Sequence, residues 1–219
     1  MTLIFFTSDI PKKEAPVYPS SKLTLIDVKV LLHRPFLFFL IASFVFALGN
    51  SSDAFLLLKA KDLGVATVLI PIVYFLFNSV FAALSYPIGK LSDRVDRKFL
   101  IIAGYFIFIA VYLGFAAART AWHAWALFAC YGLYYAFTKG VQKALIADLV
   151  PIHLRATAYG TFNTLTGLAL LPASIIAGYL WEHFGSSAPF LYGSFTAILS
   201  IILFFPLLIK EYSRPVPAL

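Results

Sequence analysis

Charge is scarce in this chain. Asp, Glu, Lys and Arg make up only 12% of it, against 61% hydrophobic residues, whereas a soluble globular domain carries about 25% charged residues. Cysteine is nearly absent. Cys130 stands alone inside an apolar run, which excludes a disulfide framework and a thiolate metal site. The four histidines, His33, His123, His153 and His183, all fall at the ends of apolar runs. No pair of them can therefore build an intramembrane zinc site or act as base for a serine nucleophile such as Ser194. There is no phosphate-cradling glycine loop, no dinucleotide fingerprint and no polar stretch long enough for a nucleotide-binding domain. Enzymatic activity, a cofactor, a bound metal and direct coupling to ATP are not expected. The apolar stretches do not alternate in ten-residue segments, so an outer-membrane barrel is excluded. Met1–Phe6 is too short an apolar run, and lacks the basic segment, for a cleavable signal peptide.

What is present is apolar length. The mean hydropathy is +0.89, with 23 Phe and 12 Tyr, and apolar runs of about twenty residues recur, the length that crosses a hydrocarbon core. These runs predict an all-α, multi-pass membrane protein with six transmembrane helices, at roughly 36–58, 66–88, 98–118, 122–147, 156–180 and 188–209. Gly64, Arg119-Thr120 and Gly185 mark turns, and Pro151 stops the fourth helix. Residues 1–34 form a polar leader with Pro11, Pro16 and Pro19, read either as a plain linker or as one containing a short interfacial helix around Leu23–Leu31. The bundle spans 35–210, and 211–219 is a tail.

The basic residues fix an expected orientation. With the N-terminus inside, Lys12, Lys13, Lys22, Lys29, Arg34, Lys90, Arg94, Arg97, Lys98, Arg155, Lys210 and Arg214 lie on the inner side. Only Lys59, Lys61 and Arg119 lie outside. Lys139 and Lys143 fall within the fourth helix. Twelve against three places both termini in the cytoplasm and the protein in the cell membrane.

Six charges crowd into the nine residues Lys90–Lys98, between two long apolar runs. A generic charged turn would need only some of them. The stretch Gly89-Lys-Leu-Ser-Asp93-Arg94-Val-Asp96-Arg97-Lys98 resembles the cytoplasmic signature loop of the major facilitator superfamily, G-x-x-x-D-R-x-G-R-[RK]. It departs at Asp96, where the family has glycine. In chemical terms, Gly89 permits close approach of a neighbouring helix. Asp93 is placed to meet the N-terminus of a neighbouring helix and to pair with Arg97, and Arg94, Arg97 and Lys98 are placed to reach anionic headgroups. Asp96 is acceptable as a residue tolerant of the left-handed region or as a helix N-cap.

Two further blocks carry the resemblance. Asp148-Leu-Val-Pro151-Ile-His-Leu-Arg155-Ala-Thr-Ala-Tyr-Gly160 is similar to the loop entering the eleventh helix of such transporters, and is followed by Gly167, Pro172 and Gly178. Asn50-Ser51-Ser52-Asp53-Ala54-Phe55 is similar to their seventh helix. The resemblance spans nearly the whole chain but only half the family's fold, and implies the C-terminal six-helix half-bundle, itself a 3+3 inverted repeat. It further implies that helices 1 and 4 face a central cavity, helices 2 and 5 meet the other half, and helices 3 and 6 face lipid.

The polar stripes agree with that assignment. Ser43, Asn50 and Asp53 share one face of helix 1, and Tyr131, Tyr135, Lys139 and Gln142 share one face of helix 4. Asp53 is a candidate for proton or substrate handling, or a headgroup-level residue if helix 1 ends early, or a cap. Lys139 is a candidate for an anionic group or an acid in another half, or a side chain snorkelling to the interface. Asp93, Arg94, Arg97, Asp148 and Arg155 form a candidate ion-pair gate. The implied function is transport of a small solute by alternating access, coupled to an ion gradient, with an N-terminal half or a second copy as partner and no nucleic acid. The alternative is a truncated, non-transporting remnant, or a subunit with an assembly role alone.

Overall fold

A computed structural model describes residues 33–208. The possible interfacial helix in the leader, together with Lys210, Arg214 and the tail, lies outside the described residues. The described chain forms seven α-helices: α1 (Arg34–Gly49), α2 (Ala54–Asp62), α3 (Ile70–Ser92), α4 (Arg97–Ala117), α5 (Ala121–Leu149), α6 (Arg155–Phe184) and α7 (Ala188–Phe204). Short 3-10 turns precede α3 and α6 and follow α7. Five stretches are long and apolar enough to cross a membrane: Arg34–Asp62, Thr67–Ser92, Arg97–Ala117, Ile152–Phe184 and Ala188–Leu208. The 29-residue α5 has the length, but its run is broken by tyrosines, Lys139, Gln142 and Lys143.

The expected boundaries hold at the turns. Gly64 and Gly185 both adopt positive φ, +94° and +89°, a conformation in which only glycine avoids a Cβ clash. Pro151 follows the end of α5 in an extended conformation. The first span differs from expectation. It is not one helix over 36–58: α1 stops at Gly49, and α2 restarts at Ala54. The sequence Gly49-Asn-Ser-Ser-Asp53 explains this, since four consecutive side chains there compete for local backbone hydrogen bonds. The Ser52 hydroxyl accepts from the Ala54 amide at 3.3 Å and so starts α2.

Around the bundle the neighbours run α3, α5, α4, α7, α1, α6, so α3 and α6 stand at the two ends. Lipid is as apolar as a leucine side chain, so interlocking shape and interhelical hydrogen bonds hold such a bundle together. Both are visible. A Cβ on Gly132 of α5 would lie 2.6 Å from the Phe77 carbonyl oxygen of α3, and one on Gly49 would overlap Thr196 of α7. Aromatic rings fill the centre: Phe46 stacks on Tyr105 at 4.1 Å and Phe108 on Tyr112 at 3.9 Å. The buried Ser200 hydroxyl of α7 donates to the Ala42 carbonyl of α1 at 2.7 Å.

Exposure is uneven. α1, α4 and α7 sink one face deep into this core, while α3 buries only Val73, Phe77, Ile88 and Ser92. α6 buries only Ala158, Phe162, Ala169, Ala173 and Ala177. The helices expected to turn to lipid, α4 and α7, keep apolar outer faces exposed, with Phe106 and Phe195 among them. Their inner faces supply much of the core, however, and α3 and α6 are the helices left most open.

Candidate functional site

The break in the first span builds the site. With no side-chain capping bond of its own at the start of α2, the Asp53 carboxylate turns to α5. Tyr131 donates to its Oδ1 at 2.9 Å, and the Tyr135 hydroxyl lies 3.5 Å from both oxygens. Asn50 sits beside it. Its Oδ1 lies within reach of the Tyr112 and Tyr131 hydroxyls at 3.3 and 3.4 Å, and its Nδ2 donates to Tyr134 at 3.5 Å. A tyrosine hydroxyl has one proton to give, so the shorter contact assigns Tyr131 to the carboxylate and leaves Tyr112 for the amide. Lys139 places its ammonium 4.8 Å from the centre of the Tyr135 ring, a cation–π contact. Gln142 donates to the buried Tyr105 hydroxyl at 3.2 Å.

The structure thus brings together Asn50, Asp53, Tyr131, Tyr135 and Lys139, with Gln142 about one turn beyond Lys139. Of the three readings of Asp53, a side-chain helix cap is not what is observed; its carboxylate is held by two tyrosines instead, and α1 does end early, at Gly49. A cleft of about 360 Å³ adjoins this cluster between α1, α5 and α6. Its polar lining is Ser43, Asn50, Lys139, Gln142, Lys143, Asn163 and Thr166, and its apolar lining includes Phe46 and Phe162. A smaller cavity of about 250 Å³ lies across α5, between α3 and the same two lysines, with Gly89 on its wall.

Several site residues escaped the sequence reading. Tyr105 and Tyr112 lie on the helix assigned to lipid, and their seven-residue spacing was the available signal for one inward face. Asn163 and Thr166, three apart on α6, carried a similar signal. Lys59, expected in an outer turn, is buried and donates to Ser186 at 2.8 Å and Ser187 at 3.4 Å, tying α2 to the turn before α7.

At the opposite end, Arg97 bridges Asp93 at 3.3 Å and Asp148, linking the ends of α3, α4 and α5. The rest of the expected network is not assembled. Among the described residues Arg94 and Arg155 make no ion pair, and the buried Nε of Arg155 has no hydrogen-bond partner. Asp93 meets the Arg97 side chain. Three further expectations are corrected. Gly89 has nothing within 4 Å of a Cβ position, so no described helix approaches it. Asp96 has φ −56°, so left-handed tolerance is not why it is accepted; it caps α4, accepting from the Lys98 amide at 3.0 Å. Lys98 is buried and lies 3.9 Å from Asp96 instead of reaching out to headgroups.

A family model described as Major Facilitator Superfamily matches residues 1–174. The chain belongs to the major facilitator superfamily. An uncharacterised MFS-type transporter of Methanocaldococcus jannaschii is 41% identical over 198 residues, covering 87% of this chain and 49% of that protein. A second uncharacterised MFS-type transporter of the same organism is 28% identical over 153 residues, or 66% of this chain and 37% of the relative. The multidrug resistance protein MdtG of Klebsiella pneumoniae is 30% identical over 144 residues, 65% of this chain and 34% of its own length. The match to this chain covers 34–49% of the length of these relatives. That family consists of multi-pass membrane transporters rather than enzymes.

Proposed function

We propose that the chain is a six-helix half, the C-terminal one, of a major facilitator transporter. In this reading it moves a small solute by alternating access together with an N-terminal half or a second copy of itself. The observation that carries this is the one-sided construction of the site. The polar cluster lies between α1 and α5 and its cleft is bounded on a further side by α6, while the outward faces of α3 and α6 expose Phe75, Tyr86, Leu171 and Ile175 with no partner among the described residues. Left against lipid, the cleft would expose lysines and amides to hydrocarbon, which is strongly unfavourable; a second bundle against α3 and α6 would close it.

The six-span, 3+3 arrangement follows if α1 and α2 form one interrupted span and α5 crosses despite its polar stripe. The Lys and Arg distribution supports cytoplasmic termini in the cell membrane. Arg97, Asp93 and Asp148 then lie at the cytoplasmic end, where their bridge can break when the halves rock. Asp53 is the group suited to ion coupling. It is a lone carboxylate whose partners are hydroxyls, and it can exchange a proton without breaking an ion pair.

The multidrug names of the enterobacterial relatives support an amphipathic solute. The test is co-expression of this chain with a candidate N-terminal half, followed by measurement of uptake or drug resistance. Flux above that of either half alone supports the reading. Stable co-assembly without flux for any solute would instead indicate a subunit with an assembly role.

A further inference from the structure

We infer that the solute is an amphipathic organic anion, its oxyanion held between Lys139 and Lys143 and its apolar body resting on Phe46, Tyr134 and Phe162. The inference rests on the reading of this cleft as the solute site and names the class of solute.

Lys139 and Lys143 lie four residues apart on α5, which places two like charges on one helical face, a mutually unfavourable arrangement. Both line the cleft between α1 and α6, and both line the smaller cavity across α5. Among the described residues neither ammonium has a carboxylate within ion-pair distance. The three ion pairs there are all made by Arg97 or Lys98. Lys139 has the face of the Tyr135 ring and the longer-range attraction of Asp53, whose carboxylate is already held by Tyr131 and Tyr135. The lining of the cleft holds no carboxylate, and a bound oxyanion would add the counter-charge that two lysines lining one cleft in a membrane span call for.

The other walls fit the same ligand. Asn163 brings an amide from α6 to the side facing the lysines, a neutral donor for an oxyanion that adds no charge, whereas the Thr166 hydroxyl already donates to the Phe162 carbonyl at 2.8 Å. Phe46, Tyr134 and Phe162 give the rest of the cleft an aromatic lining. A volume of about 360 Å³ suits a small ring-bearing molecule. Carboxylate, sulfonate and phosphate share the chemistry, and an anionic lipid headgroup could supply it as well as a soluble solute.

The full 219-residue chain in phosphatidylcholine nanodiscs tests this by equilibrium dialysis against labelled benzoate, benzamide and benzylamine. The expected result is saturable benzoate binding at least tenfold tighter than either analogue. Lys139→Gln and Lys143→Gln should each weaken it tenfold or more. A folded K139E/K143E double variant, checked by its elution profile, should turn the preference to benzylamine, and Lys143→Arg should retain it. Benzamide or benzylamine binding as well as benzoate, no saturable benzoate binding, or lysine variants without effect would overturn the inference. Loss of benzoate binding on adding phosphatidylglycerol to the disc would assign the site to lipid and overturn the soluble solute. Dialysis separates this inference from the transport reading. Charge-selective binding without flux in the co-assembled protein leaves the anion site standing, and flux with charge-blind binding leaves only the transporter.

Discussion

The Asp53 carboxylate and the Tyr131 hydroxyl meet at 2.9 Å across the break in the first span, joining the start of α2 to the middle of α5. Replacing Tyr131 with Phe removes the donor and little else. Interhelical hydrogen bonds in bilayers average about 0.6 kcal/mol and reach about 1.7. Tyr131→Phe is therefore expected to destabilise the bundle by about 1 kcal/mol, read by reversible unfolding in bicelles. Transport by the co-assembled protein should fall more than that small loss of fold implies. A variant that unfolds fully, or that transports normally, would contradict the role given to this contact.

Arg97 is the shared member of two ion pairs, so its loss should exceed that of either acid. Asp93→Asn and Asp148→Asn each leave one bridge, and both acids are well exposed; the stability cost is then at most about 1 kcal/mol. Arg97→Gln breaks both bridges and should reduce flux below either single variant at equal membrane abundance. Unchanged flux in Asp93→Asn and Arg97→Gln, measured against expression, would remove the gate.

Asp96 offers a test in which the family's own residue is the substitute. As an N-cap it contributes about 0.5–2 kcal/mol relative to alanine, whereas glycine in that position loses only a few tenths. Asp96→Ala should therefore lower stability by about 1 kcal/mol and speed exchange of the Lys98 amide, while Asp96→Gly stays near wild type. If Gly proves as damaging as Ala, the side chain does more than cap.

Gly132 and Gly160 separate packing within the bundle from packing against a partner. A Cβ at Gly132 would press on the Phe77 carbonyl and on Val80, whereas one at Gly160 meets nothing within 4 Å. Gly132→Ala should cost about 1–3 kcal/mol, the range for overpacking, in the isolated chain. Gly160→Leu should leave the isolated chain unchanged and weaken co-purification with a second half. Normal co-purification would place the partner elsewhere than on α6.

The sequence made the helices legible because membrane spans announce themselves by apolar length, and the turns because Gly64, Gly185 and Pro151 have few alternatives. The break at Asn50–Asp53 was harder to see. Hydropathy averages over a window and runs on through a short polar string, although Asn-Ser-Ser-Asp is by composition a poor helix interior. Face periodicity placed Asp53, Tyr131 and Tyr135 on inward stripes of two helices, but their direct pairing depends on the break before Asp53 and was not legible. The inward turn of Tyr105 and Tyr112 was not legible either, since tyrosines on an Ile- and Phe-rich span read as lipid-facing until a neighbour such as Asn50 or Gln142 is placed beside them. Lys98 misled for a related reason: charge alone cannot tell a headgroup anchor from a stem packed along its own helix cap.

α1 is also a ruler. Its 16 residues, about 24 Å along the axis, set both where the break begins and which compass direction the backbone faces when the helix stops. One residue inserted anywhere between Arg34 and Gly49 would turn the break by about 100° and advance it by about 1.5 Å, aiming the carboxylate away from Tyr131 without altering a single residue of the site. Among homologues, then, the spacing of this segment should tolerate substitution freely and indels hardly at all.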